Sequence, residues 1–188
     1  MDSALLTKLE TMKSHLHQLM EREYQHHGEF LLASVVQDAL SYGFVSYVDV
    51  PVTLEDILEI SHFSAKSVVE YGLIHFSLNQ SVIKESIRGT LLAVEGLGGS
   101  TDLIATSVFL GAAEELLKFG SHCYSQCIGS ILNAISDFYV ESGRSSSAAG
   151  IRVLLKHMAE HIPDLSGPTP RSSSSAQIIW SDSAVGEG

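Results

Sequence analysis

The sequence predicts an all-α protein: a single-domain helical bundle of about six to seven helices over residues 1–163, then a flexible, acidic tail rich in Ser, Pro and Gly over residues 164–188. Three observations predict it. Apolar residues recur at spacings of three and four through almost every segment, the period that lines one face of a helix. Helix-start chemistry at Thr53, Ser64 and Ser100, with glycine stops at Gly96 and Gly120, cuts the pattern into pieces of helical length. The one stretch of strand-like composition, residues 45–52, contains Pro51 and stands alone, so it reads as an extended connection.

Taken in order, Leu5, Leu9, Met12, Leu16 and Leu19 alternate spacings of four and three and mark a first helix that reaches about residue 27. The stripe then drifts to Met20, Tyr24 and Leu31, as a straight helix of 3.6 residues per turn requires and a long coiled coil does not. Gly28 divides it from the apolar run 30–40. Thr53 with Asp56 three residues on forms a capping box and starts a short helix, L-E-D-I-L-E-I. Ser64 is expected to cap the next, whose apolar positions reach Leu92 as one helix or as two meeting near Asn79.

Residues 96–118, G-L-G-G-S-T-D-L-I-A-T-S-V-F-L-G-A-A-E-E-L-L-K, hold the chain's centre. Ser100, Thr101 and Asp102 supply N-cap oxygens. Beyond them the segment is apolar over most of its circumference, with a narrow strip of Ser107, Gly111, Glu114, Glu115 and Lys118. A helix of that kind belongs in the middle of a bundle, because each apolar face needs a covering partner. A further amphipathic helix carries Ile128, Ile131, Leu132, Ile135, Phe138 and Tyr139 to about Glu141. The short linker S-G-R-S-S-S then makes it an antiparallel neighbour of the last helix. That helix shows Ile151, Leu154, Leu155, Met158 and Ile162 and is closed by Pro163.

Composition narrows the function. The 188 residues carry 22 acidic against 11 basic side chains, a net charge of −11, with no cluster of Lys and Arg. That argues against nucleic acid, which is held through such clusters. No run approaches the roughly 20 apolar residues of a membrane span. Lys8 and Glu10 interrupt the place where a signal peptide would need its apolar core. Two cysteines make no disulfide framework, so a cytoplasmic, reducing setting is expected.

Several constellations invite chemistry. His157, Glu160 and His161 spell H-x-x-E-H, the inverted zinc-peptidase motif, with the histidines one turn apart. Only 27 residues follow, too few for the third ligand and its domain, so the pair reads as a helix end stabilised by the helix dipole. Joining it to Cys123 and Cys127 is expected to fail on register: with the turn centred near Ser145, Cys127 stands level with His161, and Cys123 and His157 are then displaced by roughly 15 Å at 1.5 Å per residue. Glu23 with His26 and Glu59 with His62 match the E-x-x-H half-motif of di-iron bundles but fall on the wrong helices. The glycine-rich loop 96–101 could hold an anion at a helix N-terminus, yet it has neither the P-loop lysine nor a preceding strand. No serine or cysteine has an identifiable histidine partner, and His75 reads as a partly buried core residue.

With no complete catalytic set, no cofactor is expected. The expected function is a non-catalytic protein–protein interaction or scaffold module; the alternative is a helical metal- or small-ligand-binding enzyme using the Glu and His pairs or loop 96–101. Charged residues make up only 18% of the chain, and mean hydropathy is +0.18. Some apolar helix face should therefore remain for a partner, another protein or a second copy in a homodimer. The Leu5, Leu9, Met12, Leu16 and Leu19 stripe is the expected interface. Ile178, Ile179 and Trp180 form an apolar triplet in the tail, a candidate docking peptide.

Overall fold

The structure is a computed structural model that describes residues 3–27, 32–47, 53–76 and 79–165. Among the described residues the chain forms seven helices and no strand: α1 (Ser3–His27), α2 (Leu32–Tyr47), α3 (Leu54–His75), α4 (Gln80–Glu95), α5 (Thr101–Lys118), α6 (Ser121–Glu141) and α7 (Ser145–Leu165). They stack in two layers. One holds α2, α4 and α6; the other holds α3, α5 and α7, and α1 covers α2 and crosses α3.

Residue contacts fix the directions. Ser107 meets Leu58, Gly111 meets His62 and Glu114 meets Lys66, so α5 runs parallel to α3. Lys84 with Asp137 and Arg88 with Glu141 set α6 parallel to α4. Tyr124 donates to the Ala159 carbonyl and Arg152 to Asn133, so α7 is the antiparallel neighbour of α6 that the short linker implies.

Two glycines let the layers close. A Cβ at Gly89 would stand 2.3 Å from the Ala33 carbonyl oxygen, and one at Gly111 would stand 2.3 Å from that of His62. At these crossings α4 touches the backbone of α2, and α5 that of α3, approaches that any other side chain would block.

Several helix boundaries follow the caps. Thr53 and Asp56 form the reciprocal capping box, and Asn79 accepts from Ser81 and Val82 to start α4. Ser64 does not cap. It lies buried inside a continuous α3, where no proline interrupts and the Ser61 and Ser67 hydroxyls bond back to the carbonyls of Ile57 and Phe63. The segment 45–47 belongs to α2 rather than to an extended connection, and residues 48–52 lie outside the described part. Helix α7 passes through Pro163 to Leu165.

The first-helix stripe is spoken for. Leu9, Met12 and Leu16 are fully buried in the chain's own core with Met20, and Leu19 is partly buried against it. Gly43 of α2 faces Met12 directly, which draws the two helices together. The face expected to join two copies therefore closes one copy; the side chain of Leu5 lies outside the described residues.

Candidate functional site

The polar strip of α5 is what meets α3. The Ser107 hydroxyl donates to the Leu58 carbonyl at 2.6 Å. One turn on, Gly111 seats the His62 backbone. Next, Glu114 Oε2 lies 3.1 Å from both His62 Nε2 and Lys66 Nζ. Burial works against the Glu114 carboxylate, but the Lys66 hydrogen bond and the His62 and Lys66 charges outweigh it and hold its pKa below the ordinary carboxylate value. At the end of the strip Glu115, only 4% exposed, pairs with Lys118 at 2.7 Å.

This seam forms one side of a groove of about 990 Å³ along the outer surface of α3. Leu54, Leu58 and Phe63 supply an apolar floor, α5 supplies Ser107, Glu115 and Lys118, and α1 contributes Glu10 and Lys13 at the far end. There Lys13 pairs with Glu70 at 2.5 Å. Counting Glu114 with the lining residues Glu10, Glu55, Glu59, Glu70 and Glu115 gives six carboxylates against three lysines and His62. The lysines are paired with Glu70, Glu114 and Glu115, whereas Glu10 and Glu55 are in no ion pair among the described residues. The rim is therefore net acidic.

The residues singled out in the sequence fall in different places. Glu59 and His62 both line the groove, and His62 engages Glu114 rather than a second E-x-x-H pair. The side chains of Glu23 and His26 lie outside the described residues, as do Ile178, Ile179 and Trp180. His157 and His161 are exposed on α7 with rings 4.3 Å apart, and His161 Nδ1 lies 2.8 Å from the His157 carbonyl oxygen. The α6–α7 register differs from the expected one: it sets Cys127 level with about residue 157 and Cys123 level with about residue 161, so register does not separate the two pairs; what does is that Cys127 is buried while His157 and His161 are exposed. Among the described residues no group of three or more His, Cys, Asp or Glu side chains could hold a metal ion.

Loop 96–101 has a structural task. Gly98 and Gly99 take φ of 89° and 100°, the left-handed turn that only glycine adopts without strain. Ser100 occupies the N-cap position without a side-chain cap bond. Asp102 instead accepts from the buried Tyr139 hydroxyl of α6. Burial raises the Tyr139 pKa and the Asp102 hydrogen bond adds to it, so the phenol stays a donor at neutral pH. His75 is exposed and stacks on Tyr71 at 4.3 Å, so it is no core residue.

The groove was not legible beforehand, because its floor belongs to one helix and its rim to three. The signal that could have found it is the four-residue ridge Leu54, Leu58, His62, Lys66, once α3 is known to run parallel to α5. No helix among the described residues is long and apolar enough to cross a membrane. No protein-family model matches the sequence, and no curated protein or solved structure is significantly similar to it.

Proposed function

We propose that the chain is a non-catalytic helical interaction module whose α1/α3/α5 groove receives an amphipathic helix with an apolar stripe and cationic flanks. One observation carries this reading: a groove of about 990 Å³ with an apolar floor and a net acidic rim. Its length suits a helix, since residues 54–70 of α3 rise about 24 Å at 1.5 Å per residue. A helix about 10 Å across and about 24 Å long fills about 1,900 Å³, so one bedded to half its depth displaces about 950 Å³. Each lysine around the groove is neutralised by a carboxylate, and the remaining carboxylates do not converge on a reacting point, which favours binding over catalysis.

Net charge of −11 supports a protein partner over a nucleic acid. Two free thiols, one of them buried, support a reducing and hence cytoplasmic setting. The test uses labelled synthetic helices of about 16 residues that share one apolar stripe and differ only in Lys/Arg or Glu flanks. Fluorescence anisotropy should show micromolar binding of the cationic peptide, weakening with salt and lost in Leu58→Asp. Equal binding of the acidic peptide, or binding of neither, overturns the reading.

A further inference from the structure

Most histidine rings of the described residues are committed to a neighbour. His62 engages Glu114, His17 donates to the Ser67 carbonyl, and His15 and His75 pack on Tyr42 and Tyr71. On α7, His157 and His161 have no carboxylate against them among the described residues; their rings lie against each other, centres 4.3 Å apart. Packing does not require them. The buried side of α7 is Ala148, Ile151, Leu155 and Ala159, and both histidines are exposed. At 100° per residue each stands about 160° round the helix from Ala159, away from Cys123 and Cys127 of α6.

The His161 ring is held in one tautomer. A carbonyl oxygen only accepts, so Nδ1, 2.8 Å from the His157 carbonyl oxygen, carries the proton and donates it. In the neutral ring this leaves Nε2 with its lone pair. A metal-ligating histidine is held in the same way, its second ring nitrogen fixed by a carbonyl or a carboxylate. The nitrogens of His157 have no hydrogen-bond partner among the described residues, so either can supply a second lone pair. A spacing of four residues puts both rings on one face of the helix. An ion bonded to two nitrogens at about 2.0–2.1 Å and the tetrahedral angle sets them about 3.4 Å apart. Rings with centres 4.3 Å apart reach that separation through a small turn of the exposed His157 ring. Glu160, about 60° round from His157 and in no ion pair among the described residues, adds negative charge beside the pair; Lys156 stands further off, at about 100°.

We infer that His157 and His161 chelate one divalent transition-metal ion of the class that prefers imidazole: zinc, copper or nickel. Two nitrogens from one helix make half of a tetrahedral shell, and water or a donor from another molecule fills the rest. No third His, Cys, Asp or Glu converges on the pair among the described residues. The site is therefore an open chelate on the surface, unlike a closed structural centre with four protein ligands. Bridging one turn, the ion clips the C-terminal part of α7 in its helical form. No residue of α7 lines the α1/α3/α5 groove, so the chelate stands or falls independently of what that groove binds.

Isothermal titration calorimetry of the full chain, free of any affinity tag, with Zn²⁺ at about pH 7.5 tests this. His157→Gln and His161→Gln should each weaken the tightest-bound equivalent at least about tenfold, with helicity unchanged. The double variant should be little weaker than either single one, because one imidazole alone is no chelate. Cys123→Ser with His122→Gln removes the partly exposed thiol and the exposed ring of α6 and should leave the affinity as it is. Millimolar Mg²⁺, which prefers oxygen ligands, should not compete. Binding should fall as pH is lowered, since the ligands must be unprotonated. The inference is overturned by Zn²⁺ binding that neither α7 variant weakens, by binding that the α6 variant abolishes, or by a wild type that takes up no Zn²⁺ at millimolar concentration.

Discussion

Helices α5 and α7 are close in length and both rich in apolar residues, yet the fold treats them in opposite ways. Around α5, neighbours close from α3, α4, α6 and α7, and Val108, Phe109, Ala112, Ala113 and Leu116 are fully buried. Even its polar strip is used, bonding Ser107 and Glu114 to α3. Helix α7 rests mainly on α6, with a smaller contact to α5, leaving Val153 and Leu154 in the open. The difference lies in residue size as much as in hydropathy. Gly111, Ala105, Ala112 and Ala113 let other helices approach α5 from several sides, while the large residues of α7 at 153 and 154 fall off its buried stripe.

The comparison is broken most forcefully by truncating one large side chain in each helix. Phe109→Ala empties a fully enclosed site and should cost about 3–5 kcal/mol of folding stability. Leu154→Ala removes a side chain that is half in water and should stay within about 1 kcal/mol under conditions where the chain is monomeric. Urea unfolding of the two variants beside the wild type measures both. Equal losses would mean that α7 is held by contacts beyond those described.

Glycine substitution sharpens the same contrast at lower cost. A Cβ at Gly111 would meet the His62 backbone, which cannot swing aside as a side chain can, whereas nothing lies within 4 Å of one at Gly150. Gly111→Ala should destabilise by about 1–3 kcal/mol despite the helix propensity alanine brings. Gly150→Ala should stabilise by about 0.5–1 kcal/mol, because its backbone is helical and its surroundings open. Thermal melts of the pair should move in opposite directions. A stabilised Gly111→Ala would show that α5 and α3 have room between them.

The fold was largely legible because its signals are local. The Thr53–Asp56 box and the apolar period each act within a turn or two, and each places a helix where the structure has one; of the two readings left open near Asn79, one helix or two, the structure has two. The failures have tertiary causes. Ser64 has the chemistry of a cap but sits against the core, where the continuing helix keeps its backbone paired. Leu154 reads as part of the buried stripe of α7, but its position about 100° from Val153 keeps it at the edge of the outward face. The α1 stripe reads equally well as an interface or as core, since the pattern of one helix does not say which surface covers it. The groove lay furthest from sight, although the strip from Ser107 to Lys118 was visible. What that strip meets depends on α3 and α5 running in parallel, a relation set by the α4 layer between them in sequence.

The smallest expected effect lies where α1 crosses α3. The His17 ring packs against Tyr71 at 4.7 Å, and its Nε2–H donates to the Ser67 carbonyl at 2.9 Å. Burial is the largest influence on it and lowers its pKa; the Ser67 hydrogen bond opposes this, Lys13 and His75 add to it, and Glu70 opposes it. The unfolded chain should titrate this ring near about 6.5. Between that value and the lower folded pKa, the unfolded state binds a proton that the folded state declines, so stability falls as pH falls. Below the folded value the loss levels off, and above about 6.5 it is absent. His17→Gln keeps a neutral donor for Ser67 and removes the titration. The stability of the wild type minus that of His17→Gln, measured by urea unfolding from pH 7.5 down to about 5, should therefore decline with acidity. The histidines that do not act on His17 cancel in the difference, His75 being the one whose charge reaches it, and Glu114, whose pKa is depressed, weakens the fold only at lower pH still. A difference that stays flat, or that grows as pH falls, would mean that His17 is solvated at the crossing and that α1 is held to α3 more loosely than α5 is.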